Sequence, residues 1–387
     1  MVDILKHLSS LNSCTLVTTG RTGSDFFQSL LDSHPEVLTF NGNIIDYYDF
    51  WNNSKCVKTD GFDLSDFIWE FIGTYIERFK SKYDYFERKD QLGENFDQSI
   101  DIDIHKFRKY FIDIMNGNVV NEKNCLLAIY GAYAIVLGQD IFKKKIFFHH
   151  IHHHEKLASF IKDFPATKII SMTRDPRANI TSGVYNHKKY NPESMNGAHQ
   201  YFYINRILKD ARALEIYNNE FISIKLESLG RENTLRQLAI WLGIEYSEKL
   251  KISTWAGLIW NGDRLSQQKR RGVGFSKELL ANNWEDILSK KDKYIFNFLM
   301  NKRLEHYNYN FKKINVISYL LIPFLNIMPL SYEKEMLSIP FIFKETMKKN
   351  PKLIILNYYY YIKRIILFQK YYWKTINNES FNPPYLG

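Results

Sequence analysis

A short polar turn follows the first apolar stretch of the chain. Residues 15 to 35, TLVTTGRTGSDFFQSLLDSHP, run through the turn GRTGS into a helical pattern. Such a turn presents free backbone N–H groups at the positive end of a helix dipole, where anions bind. Gly20 and Gly23 allow a ligand to approach the backbone closely, Arg21 supplies a fixed positive charge, and Thr22 and Ser24 supply hydroxyls. We predict a phosphate site, with an ordinary strand-to-helix connection as the alternative.

A second stretch repeats this pattern. Residues 168 to 187, KIISMTRDPRANITSGVYNH, run from a strand through an Arg and Pro turn into a helix. Arg174 at the strand end and Ser182 eight residues later can converge on a further phosphate. Two anion sites at the carboxyl ends of parallel strands indicate a ligand with phosphates at both ends of a nucleoside. The alternative for Arg174 is a helix-capping salt bridge.

Histidines crowd the run FFHHIHHHEK, residues 147 to 156. The set comprises His149, His150, His152, His153 and His154. A histidine is the usual side chain for moving a proton near neutral pH. Consecutive residues of a strand point to opposite faces and cannot all reach one ion, so a zinc cluster is the less favoured hypothesis. The plainer alternative is a polar loop in which one or two rings pack.

The elements that must position these residues are short apolar strands with helices between them. The strands are predicted at 14 to 20, 144 to 151, 167 to 174 and 220 to 226. Nearly continuous apolar strands are typical of a parallel sheet buried on both faces. We predict an α/β fold, three-layer α/β/α with a central parallel sheet, over residues 1 to 310. Residues 60 to 130 are predicted to be a helical insertion, a lid or an acceptor subdomain.

The two phosphate motifs, in this order, resemble those of sulfotransferases that use 3′-phosphoadenosine 5′-phosphosulfate (PAPS). TTGRTGSDFFQSLLDSHPEV looks like the family's P-loop-like 5′-phosphosulfate turn, with the His-Pro pair of glycan-type and bacterial members. RDPRANITS is similar to the 3′-phosphate segment. The resemblance covers roughly residues 13 to 310. It implies transfer of a sulfuryl group to a hydroxyl, with a carbohydrate as the expected acceptor.

The resemblance also implies a set of donor-binding residues. They are Arg21, Thr22, Gly23, Ser24, Asp25, Arg174, Ser182, Arg270, Arg271 and Gly272. Two positions depart from the family pattern. Asp25 stands where a Thr or Ser is common, and a carboxylate there repels an anionic donor unless it turns away. The segment RRGVGF has one residue fewer between its glycines than the family motif.

Sulfuryl transfer, like phosphoryl transfer, needs neutralisation of developing charge and a base for the acceptor proton. Arg21 is predicted to supply the charge, and no metal is required by this chemistry. His152 precedes Arg174 by 22 residues, where the catalytic histidine of cytosolic sulfotransferases would fall. We favour it as the base, with His150 assisting. Asp46, in NGNIIDYYDFW, is the competing candidate.

The C-terminal part of the chain differs in composition. Residues 311 to 387 hold 11 Lys and Arg against 4 Asp and Glu, a surplus of 7 out of the net +10 of the whole chain. The run 352 to 374, KLIILNYYYYIKRIILFQKYYWK, has the composition of a helix at a membrane interface. We expect a helical extension that contacts an anionic membrane surface, or packs on the domain, including as a homodimer contact. Membrane contact would suit a lipid-linked acceptor.

Bulk properties restrict the setting and the partners. Three widely spaced cysteines and the absence of a secretion signal predict a cytoplasmic protein, peripheral at the inner face of a membrane if the extension binds lipid. No nucleic-acid module is recognisable, so a small molecule or glycan is the expected acceptor. Two other functions stay open, a catalytically inactive nucleotide-binding or membrane-associated protein and a phosphotransferase. The phosphotransferase is disfavoured because the turn has no lysine.

Overall fold

The computed structural model describes residues 4–42, 44, 46–58, 62–85, 88–186, 196–262, 273–276, 280, 284–338 and 351–387. The strands are β1 (Asn12–Thr18), β2 (Val37–Leu38), β3 (Ile146–His153), β4 (Lys168–Thr173), β5 (Phe221–Lys225), β6 (Thr254–Trp255), β7 (Leu258–Ile259) and β8 (Tyr385–Leu386). The helices up to β5 are α1 (Ile4–Ser10), α2 (Ser24–Leu31), α3 (Tyr47–Asn53), α4 (Lys55–Lys58), α5 (Leu64–Thr74), α6 (Ile76–Phe79), α7 (Ile104–Met115), α8 (Glu122–Val136), α9 (Leu157–Asp163), α10 (Pro176–Ile180) and α11 (Gly197–Lys209), with a π-helix at Thr181–Asn186. Those after β5 are α12 (Glu232–Leu242), α13 (Trp284–Ile287), α14 (Lys290–Leu299), α15 (Asn301–His306), α16 (Val316–Ile327), α17 (Ser331–Met336) and α18 (Lys352–Ile376).

Six strands form one sheet in the order β2-β3-β1-β4-β5-β8, and each neighbouring pair is parallel. The four strands predicted from apolar runs are its central members, so the α/β fold class is confirmed. Residues of β1, β3, β4 and β5 are almost all buried. This burial follows from their continuous apolar character, since a parallel sheet is covered by helices on its faces.

The sheet has a topological switch point between β1 and β4. The chain leaves β1 toward β2 on one side of the sheet, and leaves β4 toward β5 on the other. Loops that diverge from adjacent parallel strands leave a crevice at the carboxyl ends, where α/β proteins bind ligands. The two predicted phosphate motifs follow β1 and β4, so both lie at this crevice.

The insertion and the extension both carry helices that pack on the rest of the chain. Residues 60 to 130 contain α5 to α7 and most of α8, whose apolar side chains join the main core. A second hydrophobic cluster runs from Ile180 to Tyr372 and so includes residues on both sides of position 311. At the C-terminus, β8 pairs with β5 at Ser223 and Ile224 and completes one edge of the sheet. The domain boundary itself stays a prediction.

Candidate functional site

The turn after β1 has an unusual backbone. Gly20, Arg21 and Gly23 have φ angles of 88°, 55° and 80°. Gly23 favours glycine because its φ is left-handed and because a Cβ there would lie 2.5 Å from the Leu226 side chain. Arg21 is held in a left-handed conformation that non-glycine residues seldom adopt, a kind of strain that clusters at functional sites. The first N–H groups of α2 follow directly, with no intrahelical acceptors.

Hydroxyl groups fix the turn from inside. The hydroxyls of Thr18 and Thr22 are hydrogen-bonded to each other, and the Gly20 N–H donates to Thr18 Oγ1 at 3.0 Å. Both threonines are fully buried, and Ser24 is 3% exposed. The turn is therefore preformed, and a ligand would meet a rigid cradle.

The second motif lies directly against this turn. Arg21 Nε donates to Ser182 Oγ at 3.3 Å, and Arg174 Nη1 donates to the Arg21 carbonyl oxygen at 3.2 Å. Ser182 belongs to the π-helix at Thr181–Asn186, a form that recurs at functional sites. The structure thus brings Arg21, Arg174 and Ser182 together, although Arg21 and Arg174 are 153 positions apart in the sequence.

Arg174 still has capacity to bind an anion. Its Nε is buried and has no hydrogen-bond partner among the described residues. Burial lowers the pKa of the Arg174 guanidinium, and the charge of Glu227 opposes that shift. The helix-capping ion pair considered for Arg174 is made instead by Asp175 and Arg177, whose Oδ2 and Nη2 are 2.7 Å apart. A phosphate would give the orphaned Nε an acceptor.

Two residues that the sequence did not indicate hold the motifs together. The Tyr203 hydroxyl donates to the Gly20 carbonyl oxygen at 3.1 Å and also bonds Asn179. Asn179 Nδ2 donates to Thr19 Oγ1 at 2.8 Å. The Tyr203 ring packs directly against Gly183, where an added Cβ would lie only 2.0 Å from the ring. Because Tyr203 lies on a separate helix, no local signal pointed to it.

A bulge in β3 places the histidines. Leu16 pairs with His150 and Val17 pairs with His152, so Ile151 is an extra residue in the ladder. His152 takes a left-handed φ of 70° there. Bulges of this kind re-aim a side chain next to a site. His152 consequently lies beside the end of β1, just before the turn at Gly20 to Ser24.

Hydrogen bonds assign the tautomer of His152. Gln28 Nε2 donates to the carbonyl oxygens of Phe40 and Gly42, both at 2.9 Å, so its Oε1 faces His150 Nδ1, also at 2.9 Å. The His150 Nδ1 proton therefore points at Gln28, which leaves His150 Nε2 to accept from His152 Nδ1 at 3.2 Å. This series of hydrogen bonds leaves the lone pair of neutral His152 on Nε2, where it can accept a proton as a general base does.

The other histidines have different surroundings. His149 is buried, stacks on Phe160 with ring centroids 5.0 Å apart and meets the Tyr130 hydroxyl at 2.8 Å. It belongs to the core, as the packing hypothesis expected of one or two rings. Among the described residues, no group of three or more His, Cys, Asp or Glu is arranged to hold a metal ion.

The histidine pKa values are low. Burial lowers the pKa of His149 to about 3. Burial, followed by His153, Arg206 and Arg21, lowers the pKa of His152 to about 3. Burial and the neighbouring His152 lower the pKa of His150 well below its ordinary value. All three rings are neutral at pH 7, the state in which a histidine accepts a proton.

We predict that the free energy of unfolding falls as the pH drops below 6.5. Below that pH the histidines of the unfolded chain bind protons, whereas the buried ring of the folded protein stays neutral until the pH approaches its pKa of about 3. Protonation therefore favours unfolding. For a ring as buried as His149, the slope is about 1.4 kcal/mol per pH unit. Urea unfolding between neutral and mildly acidic pH measures it. The substitution His149→Gln should flatten the slope by about that amount, and parallel curves for the two proteins would contradict the assignment.

The remaining predicted residues occupy varied positions. The Asp25 carboxylate lies 3.9 Å from His150 Nδ1 and is 23% exposed, so it faces the histidine chain. Asp46 is 54% exposed and forms an ion pair with Lys156, which also binds Asp49 at 2.9 Å. The predicted donor residues Arg270, Arg271 and Gly272 lie outside the described residues.

Comparisons with known proteins concern the fold. No protein-family model matches the chain, and no curated protein matches it. A sulfotransferase domain from the curacin biosynthetic pathway is similar with 12% identity and a TM-score of 0.34, over 70% of this chain and 83% of that one. A sulfotransferase domain from the Synechococcus PCC 7002 olefin synthase is similar with 14% identity and a TM-score of 0.32, over 72% and 90%.

Proposed function

We propose that the protein transfers a sulfuryl group from PAPS to an acceptor hydroxyl. The observation that carries the proposal is the convergence of two anion-binding motifs at one crevice, with Arg21 Nε 3.3 Å from Ser182 Oγ and Arg174 bonded to the backbone of Arg21. One crevice with two such motifs suits a nucleotide that carries phosphates on both sides of its ribose. The sequence resemblance points to the same donor.

The residues present fit such a donor. In the proposal, the turn from Gly20 to Ser24 and the start of α2 hold the 5′-phosphosulfate, because they combine backbone N–H groups, the Ser24 hydroxyl and Arg21. The Thr22 hydroxyl bonds Thr18 instead and supports the turn. Arg174 and Ser182 hold the 3′-phosphate, and the orphaned Arg174 Nε supports this assignment. The donor supplies an activated sulfuryl group on a phosphate leaving group.

Side chains of the protein remove the acceptor proton and stabilise the developing charge. His152 Nε2 accepts the proton of the acceptor hydroxyl, and its tautomer is set through His150 by Gln28. Arg21 and the turn amides stabilise negative charge that develops on the leaving phosphate. A bound anionic donor offsets the positive charge of Arg21, which contributes to the depressed His152 pKa, so donor binding raises the basicity of this ring.

The acceptor hydroxyl belongs to a small molecule or a glycan. A carbohydrate hydroxyl is what the sequence resemblance implies, and a glycolipid would suit membrane contact by the C-terminal extension. Asp25 beside His150 is proposed to face away from the donor, which would relieve the repulsion expected of a carboxylate at this position.

The test is incubation of the full-length protein with isotopically labelled PAPS and a panel of saccharide, phenol and long-chain alcohol acceptors. We expect label on at least one acceptor, and calorimetric binding of adenosine 3′,5′-bisphosphate in preference to ATP. Binding without transfer would identify the inactive nucleotide-binding alternative. Preference for ATP would favour the phosphotransferase and contradict the proposal.

A further inference from the structure

Helix α16 exposes an almost wholly apolar face. Its exposed side chains include Val316 at 79%, Leu320 at 68% and Phe324 at 69%, and Ile317, Tyr319, Leu321 and Ile327 are exposed as well. A contiguous set of this size on the outside of a protein usually marks an interaction surface. Asn326 and Ile322 point inward and are fully buried, so the helix has one packed side and one outward side.

Helix α18 lies antiparallel beside α16. Tyr372 Oη donates to the Tyr319 carbonyl at 2.8 Å, and Gln369 Nε2 donates to the Pro323 carbonyl at 2.9 Å. The exposed residues of α18 recur at helical spacing, namely Ile355, Tyr359, Ile362, Ile366 and Trp373. A buried ion pair, 2.8 Å, joins Arg364 in the middle of α18 to Glu333 of α17, the helix that follows α16. The apolar residues therefore belong to a rigid element of the fold.

The charged residues of the two helices themselves are all basic. Residues 312 to 332 and 352 to 376 contain no Asp or Glu. Exposed or half-buried lysines flank the apolar faces at Lys312, Lys313, Lys352, Lys363 and Lys370. Helices that lie in the interface of an anionic membrane typically combine an apolar stripe with aromatic rings and flanking lysines.

A basic cavity opens at the start of α16. It has a volume of about 720 Å³, and Asn315 and Ser318 of the helix contribute to its wall. Its charged lining residues are five cations and one carboxylate, namely Arg177, Lys290, Lys293, Lys312, Lys313 and Glu285, and its aromatic lining includes Trp284 and Phe311. Lysines beside aromatic rings suit the phosphate of a lipid headgroup, because the charge is neutralised while the rings contact its apolar part.

We propose that α16 and α18 dock the protein on an anionic lipid bilayer, with a phosphate headgroup at this lysine-lined cavity. Among the residues that the structure describes, the stretch Val316–Lys334 is apolar and long enough to be a candidate for crossing a membrane, with a mean hydropathy of 1.3 and 33% of it buried. However, α16 ends at Ile327 after 12 residues, roughly 18 Å, whereas a bilayer core is about 30 Å thick. The helix therefore lies in the interface. This inference does not depend on the proposed enzymatic activity.

The test is sedimentation of the full chain with phosphatidylcholine vesicles, with or without phosphatidylglycerol. The full chain is needed because β8 belongs to the sheet. We expect binding to anionic vesicles that is at least about tenfold stronger than to neutral ones. The double substitution Leu320→Asp and Phe324→Asp should weaken it at least about tenfold, and Lys312→Glu with Lys313→Glu should remove the preference for phosphatidylglycerol.

Matched controls make the same chemical changes elsewhere. Ile216→Asp with Ile240→Asp alters two side chains that are each 79% exposed on other elements, and Lys106→Glu with Lys109→Glu reverses two exposed charges on α7. Both controls should bind like the unaltered protein. Failure of the unaltered protein to sediment with anionic vesicles would overturn the proposal. So would light scattering that shows a dimer dissociated by Leu320→Asp and Phe324→Asp, since the surface would then be a contact between two copies.

Discussion

Replacement of His152 by alanine is expected to reduce turnover by about 10²- to 10⁴-fold, the usual contribution of a positioned general base. The reason is geometric, because His152 Nδ1 is committed to His150 Nε2, which leaves the lone pair of the ring on Nε2. Affinity for adenosine 3′,5′-bisphosphate should change by less than about twofold, since the ring removes a proton and does not hold the donor. Steady-state rates with labelled PAPS, together with calorimetry, measure both quantities.

Two further variants make this result specific. Asp46→Asn tests the competing base, and we expect nearly normal turnover because Asp46 is exposed and paired with Lys156. His105→Ala makes the same substitution at an exposed histidine on α7, away from His152, and should also leave turnover nearly unchanged. Normal rates for His152→Ala with a large loss for Asp46→Asn would reverse the assignment. Normal rates for both would mean that neither residue is the base.

The site residues that could be predicted from the sequence are those that short local patterns mark. The motif residues Arg21, Arg174 and Ser182 were identifiable because each lies within a strand, turn and helix pattern that a short window contains. Their convergence was also predictable, since parallel strands bring their carboxyl ends to one edge. The six-stranded order, with β8 supplied by the last residues of the chain, had no such signal, because a two-residue strand leaves no periodicity to read.

The arrangement of the histidines shows the limit of pattern arguments. Alternation along a strand assumes an unbroken ladder, and the bulge at Ile151 breaks it. Gln28 was missed because its role depends on α2 packing against β3, a tertiary contact. Tyr203 was missed for the same reason, since nothing in its own helix distinguishes a tyrosine that bonds Gly20 from one that only packs.

Replacement of Arg174 by alanine is expected to weaken binding of adenosine 3′,5′-bisphosphate by about 10- to 100-fold, the loss that follows removal of a charge-assisted hydrogen bond to phosphate. Affinity for adenosine 5′-monophosphate should change by less than about twofold, since that nucleotide has no 3′-phosphate for Arg174 to hold. The difference between the two nucleotides is the decisive quantity, and calorimetry with each measures it.

Arg174 also supports the turn, because its Nη1 donates to the Arg21 carbonyl. A variant that only loosened this turn would weaken both nucleotides equally, and that result would contradict the assignment of Arg174 to the 3′-phosphate. Ser182→Ala supplies a milder variant with the same expected selectivity, since loss of the serine hydroxyl removes its bond to Arg21 Nε but leaves the Arg174 contact with the Arg21 carbonyl intact. Arg236→Ala removes an exposed arginine that is paired with Glu232 on α12, so it changes the net charge equally and should affect neither nucleotide.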